Sequence, residues 1–327
     1  MNMVKWRPAL PVCLLLLALW GPAAARAQDM PLLRVGYLPL ATQLPLVVSF
    51  ENDRLSLAHT ALKLVRYNSF TSVEAALRVG AVEAASIPVP IALAIAADGV
   101  PLKVLGADHL GGARVVAQAQ GGLDKVKGGL VGVPGLDTNE NLDLALVLAQ
   151  EKLRHGLDYK AIAVPFDSAL EDFQNKRLTA LYLPEPFGTL AEAQGSVFEL
   201  EGQAGRLSGT LNTVLVVRAE MMEKAPEAVL EWLGSVIRAG RFIEKDLKES
   251  GGRQTAILQG RYTDIPPETA AAVLAGRKAG LAFGPQVSAR KDFERYLDAA
   301  SKMELLKKSV DLAQLLDLET MKKAGGQ

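Results

Sequence analysis

Apolar and polar positions alternate over Leu33, Val35 and Tyr37, the two-residue period of a strand. Pro39 ends that run, because proline has no N–H to donate to a ladder. Thr42, an N-cap residue type, then precedes a helical run through Pro45, Val48 and Phe50. The same alternation of strand and helix recurs down the chain. A strand over 61–67 leads to a helix through Val73, Ala76, Leu77 and Val79, capped by Ser69 or Thr71 and ended by Gly80. A strand over 82–87 closes at Pro88-Val89-Pro90 and leads to a helix over 91–98; strands over 102–106 and 114–118 follow. Next come a strand over 130–133 and a helix behind Asp137, Thr138 and Asn139 that carries Leu142, Ala145, Leu146, Ala149 and Leu153. Strands over 161–166 and 180–183 flank a helix through Ala169, Leu170 and Phe173, and the second closes at Pro184-Glu185-Pro186. A strand within 207–217 precedes helices over 219–249, 267–277, 287–303 and 313–324. This order predicts an α/β fold.

Part of the pattern repeats at a fixed spacing. Val35-Gly36 matches Val131-Gly132, Leu77 matches Phe173, and Ile87-Pro88-Val89-Pro90 matches Leu183-Pro184-Glu185-Pro186, each at an offset of 96 residues. A shared offset at three separated landmarks predicts two similar β-α-β modules, one per domain. Two such domains joined by two crossings leave a cleft between them, a preferred place for small-ligand pockets.

Composition narrows the class. Hydrophobic residues are 49% and charged residues 22%, enough for two cores in 327 residues. Lys5 and Arg7, an apolar stretch over 12–20 and Ala25-Arg26-Ala27 have the form of a cleavable signal peptide over 1–27. Cys13, the sole cysteine, lies inside that stretch, so no lipid-bearing cysteine begins the mature chain, and a periplasmic or otherwise exported location is expected. Loss of residues 1–27 takes away Lys5, Arg7 and Arg26 and no acid, leaving 33 basic against 36 acidic residues and no attraction to nucleic acid. Without a thiol the mature chain has no disulfide, thiolate metal site or cysteine nucleophile.

Five segments in order, among them LRVGYLPLATQLPL at 33–46, LRVGAVEAASIPVPIALAIAADGVPLKVLG at 77–106 and FQNKRLTALYLPEPF at 173–187, carry a resemblance. The chain resembles the substrate-binding proteins of ABC transporters that handle nitrate, sulfonates, taurine and thiamine-precursor pyrimidines. The resemblance implies a two-lobed periplasmic binding protein fold of type II, each lobe a mixed sheet flanked by helices. It places lobe 1 in 28–115 and 213–327 and lobe 2 in 116–212, joined by two hinge crossings. It implies a small anionic or zwitterionic ligand, permease and ATPase subunits at the inner membrane as partners, no cofactor and a monomer. By match to the family's motifs the binding loops are Tyr37, Leu38, Pro39 and Thr42; Ile87 and Pro88; Thr138 and Asn139; and Tyr182, Glu185 and Pro186. Two helix starts, at Thr42 and at Thr138-Asn139, suit an anion; as the alternative, both are plain N-caps.

Glu185 complicates an anionic ligand, because a carboxylate in the cleft repels it unless a ligand amine or a neighbouring Arg is there; it favours a zwitterion or an amine. Aromatics are only 6%, and the candidate loops offer Tyr37, Tyr182 and Phe187, which favours an aliphatic ligand over a stacked pyrimidine. In DHLGGAR at 108–114, His109 and Arg114 lie near a crossing; Arg114 either pairs an acidic ligand or is a solvated hinge residue, and Arg218 has the same two readings. An enzyme on this fold, of the pyrimidine or menaquinone pathways, is the alternative. His59, His109 and His155 are scattered, and no Gly-x-Ser-x-Gly, His-Glu-x-x-His or phosphate loop is present. A binding protein reporting to a membrane sensor remains a third reading.

Overall fold

A computed structural model describes residues 30–195, 198–200, 210–276, 280–286 and 288–326. The expected signal peptide with Cys13 lies outside the described residues, as do residues 207–209 of the expected strand. The first stretch runs β1 (Leu32–Tyr37), α1 (Leu44–Asp53), β2 (Ala61–Arg66), α2 (Phe70–Val79), β3 (Ala84–Pro88), α3 (Val89–Ala97) and β4 (Leu102–Leu110). A second runs β5 (Ala113–Ala117), β6 (Leu130–Val133), α4 (Asn139–Gln150), β7 (Lys160–Ala163), α5 (Ala169–Gln174), β8 (Ala180–Pro184), α6 (Phe187–Ala193) and β9 (Phe198–Glu199). The third runs β10 (Thr213–Arg218), α7 (Ala219–Lys224), α8 (Pro226–Ser250), α9 (Arg253–Tyr262), α10 (Pro267–Gly276), β11 (Ala282–Gln286), α11 (Arg290–Lys302), α12 (Leu312–Leu315) and α13 (Leu318–Gly325).

Two mixed sheets result. The first has the order β11-β4-β10-β3-β1-β2 and the second β7-β6-β8-β5-β9. The central strands are buried on both faces, which is why they read as continuous apolar runs. Along β10, Val214 and Val216 enter one core with Phe70, Leu77, Leu93 and Phe293. Leu215 and Val217 enter the opposite core with Val35, Trp232 and Val236. Helices α2, α3 and α11 thus cover one face, and α1 and α8 the other. Along α8 the buried Val229, Trp232, Leu233, Val236 and Ile237 follow the helical repeat. Trp232 is fully buried, and its truncation to Ala costs about 3–5 kcal/mol.

The 96-residue offset is a matter of strand register. Val35 pairs with Ala84 and Gly36 with Ala85; Val131 pairs with Ala180 and Gly132 with Leu181. The antiparallel neighbours match too: Thr213 opposes Pro88 as Ala113 opposes Pro184. β5 and β10 are therefore equivalent strands, one in each lobe.

The chain crosses between the sheets at Gly111-Gly112, since Ala113–Ala117 already belongs to the second sheet. That is a few residues before the boundary after Val115 expected from sequence. At Gly112 φ is +83°, and a Cβ there falls 2.7 Å from Thr42 Cγ2 and 2.8 Å from Leu281 Cδ1. Only glycine fits both the left-handed backbone and the space. The return crossing is tied to the first where Gly111 N–H donates to Thr210 O at 2.8 Å.

Candidate functional site

The strand–helix junctions of both sheets converge on one cavity of about 760 Å³. The first lobe contributes Pro39 and Leu40 from the β1–α1 junction, Arg66, Asn68 and Ser69 from β2–α2, and Asp264 and Ile265 between α9 and α10. The second lobe contributes Pro134 after β6, the stretch Ala163 to Asp167 after β7, and Pro186, Phe187 and Leu190 at β8–α6. Ligands in open α/β sheets lie outside the carboxyl ends of parallel strands, and this cavity lies there for β1, β2, β6, β7 and β8.

The wall is mostly apolar. Phe166 stacks on Phe187 with centroids 5.0 Å apart and planes at 13°, and Phe70 of the first lobe meets Phe166 edge-on at 6.2 Å. Of the three aromatics expected in the loops, Tyr37, Tyr182 and Phe187, only Phe187 is on the wall, and Phe166 joins it there to make a stacked pair. Those two tyrosines point into the cores of the first and second sheets. At the rim, Arg66 makes two hydrogen bonds with Asp264, which holds that carboxyl below its ordinary value. Ser69 caps α2, its Oγ accepting the N–H of Ser72 at 3.2 Å.

Of the residues expected in the binding loops, Pro39 and Pro186 line the cavity. Leu38 and Ile87 are core residues, and Pro88 is buried in the ladder opposite Thr213. Tyr37 donates its hydroxyl to Tyr262 O at 3.4 Å. Thr42 lies in a 3-10 turn ahead of α1 and caps nothing; its buried Oγ1 has no hydrogen-bond partner among the described residues. Thr138 occupies the N-cap position of α4, but its hydroxyl donates to Gly135 O at 2.9 Å. Asn139 is spent between the lobes: Oδ1 accepts the N–H of Val89 and Nδ2 donates to Leu211 O, both at 2.8 Å. The lobes touch again where Ala41 N–H donates to Glu185 O at 3.0 Å.

Arg114 and Glu185 answer one another. Arg114 is 1% exposed; its Nε donates to Glu185 at 2.8 Å, while its Nη1 reaches Glu192 at 2.6 Å and Glu199 at 3.1 Å. Burial alone lowers its pKa, but the bonds and charges of Glu192 and Glu185 outweigh burial and raise it. Arg114 is thus neither a solvated hinge residue nor a partner for ligand. Glu185, also accepting the N–H of Thr189 at 3.0 Å, already has its cation. Its presence no longer argues for a ligand amine. Gly188 makes room for this arrangement, since a Cβ there falls 2.7 Å from Arg114 Nε. Arg218 bonds the carbonyl of Leu77 and pairs with Glu220 at 3.0 Å, away from the cavity.

The crossings carry a buried polar cluster. Asp108 and His109, 2% and 0% exposed, bond through Oδ1 and Nδ1 at 3.0 Å. Ser86 joins Thr213 at 2.8 Å and Asp108 at 3.4 Å. Asn212 donates to Glu140 Oε1 at 2.8 Å. Burial pushes the Glu140 carboxyl above its ordinary value, against the pull of Asn212 and the charge of His109. Asp143, one turn further along α4, is lifted by burial to about 7 despite Arg295 and the hydroxyl of Tyr296 at 2.9 Å. Sequence reading stopped at His109 and missed Glu140, Asn212, Phe166 and the β2–α2 and β7–α5 junctions. The N-cap types at Ser69 and at Asp167-Ser168 were the available signal for the last two.

Among the described residues no helix is long and apolar enough to cross a membrane, and no group of three His, Cys, Asp or Glu is placed to hold a metal ion. The model of the NMT1-like family matches residues 26–256. No match was found among curated protein sequences. Solved structures are similar throughout. A ligand-binding component of an ABC-type import system from Staphylococcus aureus, with zinc bound, superposes with a TM-score of 0.78 at 17% identity, covering 90% of this chain and 99% of that one. The periplasmic nitrate-binding protein NrtA from Synechocystis PCC 6803 gives 0.78 at 15% identity, covering 91% and 89%. The alkanesulfonate-binding protein SsuA from Xanthomonas axonopodis pv. citri, bound to MOPS, gives 0.73 at 18% identity, covering 88% and 99%. At these identities the likeness is one of fold.

Proposed function

We propose that this chain, which belongs to the NMT1-like family, is the solute-binding component of an ABC-type importer. It captures a small molecule between its lobes and delivers it to a membrane permease, without catalysis. The observation that carries the reading is the 760 Å³ cavity walled by strand–helix junctions of both sheets. A ligand there touches both lobes at once, so its binding energy favours the closed pair over the open one. The similar structures of a nitrate-binding protein, an alkanesulfonate-binding protein and an ABC-type import component with zinc bound support the same role. Export to the periplasm accords with that role and with the N-terminal segment read from sequence.

The test is thermal unfolding of the protein against nitrate, ethanesulfonate, taurine, amino acids, benzoate, benzamidine and aminopyridines. A ligand bound only by the folded state adds RT ln(1 + [L]/Kd), about 2.7 kcal/mol at a hundredfold excess over Kd. A saturable rise in Tm, with a smaller radius of gyration by X-ray scattering, is the expected result. No response to any probe, in a protein that unfolds cooperatively, overturns the reading.

A further inference from the structure

The cavity between the lobes is polar on one side only. Of the nine second-lobe residues described along it, Asp167 alone has a polar side chain, and that residue is exposed. The others include Val164, Pro165, Phe166, Pro186, Phe187 and Leu190. The polar side chains of the first lobe are Arg66, Asn68, Ser69 and Asp264. A ligand that touches both lobes therefore meets hydrogen-bonding groups on one side and an apolar wall on the other.

The features that would hold an anion there are already engaged by the chain itself. Arg66 is the only cation among the described lining side chains, and both its Nη atoms bond the Asp264 carboxylate. With Asp167, the cavity has two carboxylates against one guanidinium. Helix α2 opens on the cavity at Ser69, whose Oγ takes the N–H of Ser72. Helix α6 opens on it at Phe187, and the N–H of Thr189 is taken by Glu185. Neither helix start is bare. Volume argues the same way. About 760 Å³ lies within the ~300–1,000 Å³ of sites that bury drug-sized molecules against apolar and aromatic walls. A bare inorganic oxyanion would leave most of that space to water. The geometry points to a ligand with an apolar body, aromatic or aliphatic, lying against the second lobe, and a hydrogen-bonding head that meets the first lobe at the neutral amide of Asn68. Its affinity comes from the body and not from a charge on the head. This inference rests on the binding-protein reading above and names the ligand class of that same site. Closure then removes apolar surface from water at Phe166 and Phe187, which lowers the heat capacity on binding.

The experiment is calorimetric titration of the protein at several temperatures with probes that separate body from charge: benzoate and benzamide, indole-3-acetate and indole-3-acetamide, hexanoate and hexanamide. Acetate and acetamide carry the same heads without a body, and nitrate and taurine stand for small hydrophilic ions. At least one body-bearing probe is expected to bind ~100-fold or more tighter than acetate or acetamide, with a negative heat-capacity change. The carboxylate and amide of that body are expected to bind within ~10-fold of one another, because an exposed charge already paired contributes little. Phe166→Ala, with its ligand-free Tm measured to show that it folds, is expected to weaken that probe by ~10-fold or more. Should the variant fail to fold, a crystal structure of the parent protein with the tightest probe replaces it, and the body is expected against Phe166 or Phe187. Nitrate, taurine or acetate binding as tightly as the body-bearing probes overturns the inference and leaves the binding-protein reading standing. So does a carboxylate far tighter than its amide, a heat-capacity change near zero, a folded Phe166→Ala that binds as the parent does, or a crystal with the body away from both rings. Failure of every probe overturns both.

Discussion

Asn139 of the second lobe accepts, through Oδ1 at 2.8 Å, the backbone N–H of Val89 at the start of α3 in the first. One amide thus fastens the lobes and caps a helix whose own N-cap position, Pro88, has no side-chain donor or acceptor. Asn139→Ala leaves the N–H of Val89 and the carbonyl of Leu211 without this partner. The expected cost is about 1–3 kcal/mol in urea unfolding. X-ray scattering is expected to show a larger radius of gyration, as the lobes part. An unchanged radius would mean that Asn139 does not hold the lobes together.

Arg114 is surrounded by Glu185, Glu192 and Glu199 and shut away from solvent. Arg114→Ala strands the fully buried Glu185 and is expected to cost about 3–5 kcal/mol. Glu199→Gln, at the more exposed end, is expected to cost under about 1 kcal/mol. Denaturant midpoints of the two variants check the contrast; equal losses would contradict it.

The stability of the protein is expected to fall as pH rises from about 4 to about 7. Burial raises the folded pKa of Asp143 to about 7, whereas the unfolded value is near 4. The folded state therefore binds the proton more tightly. This contribution is fully present below the unfolded pKa and is lost as pH climbs through the folded one. Glu140, also raised by burial, acts in the same direction. Urea unfolding across that range is expected to give a shallower decline for Asp143→Asn than for the parent protein.

Leu190 faces the cavity from α6. Leu190→Trp fills part of that volume and is expected to abolish the ligand-induced rise in Tm, while the ligand-free Tm moves by only a few degrees. A full ligand response in this variant would place the binding site elsewhere.

The architecture was legible where burial is simple. β3, β8 and β10 are largely apolar because both faces are covered, and the 96-residue spacing reflects equal strand registers. The β11 strand was missed because Gly284 and Pro285 break its pattern, and it adds only to the sheet edge, with a register shift against β4. Asp108 and His109 lie beyond the strand expected over 102–106 for the same reason: their strand character comes from pairing with β11, where His109 opposes Phe283. The candidate site was less legible. Asn139 and Thr42 are N-cap types, and sequence alone does not show that one reaches the other lobe while the other caps nothing. The three carboxylates on Arg114 lie 71, 78 and 85 residues away, beyond any local pattern.

The position of β10 between β3 and β4 sets an order of events during synthesis. All the strands of the second sheet lie within residues 113–199, so that lobe is complete as soon as it emerges. The first lobe is not. Its sheet lacks a central strand until residue 218 is made, and the buried edge of β3 has no partner on that side in the meantime. An unpaired apolar edge is a template for pairing with other chains. A chain that has emerged only as far as residue 212 therefore holds one finished lobe and one sticky half-sheet, and it is in that interval that this chain most needs a chaperone.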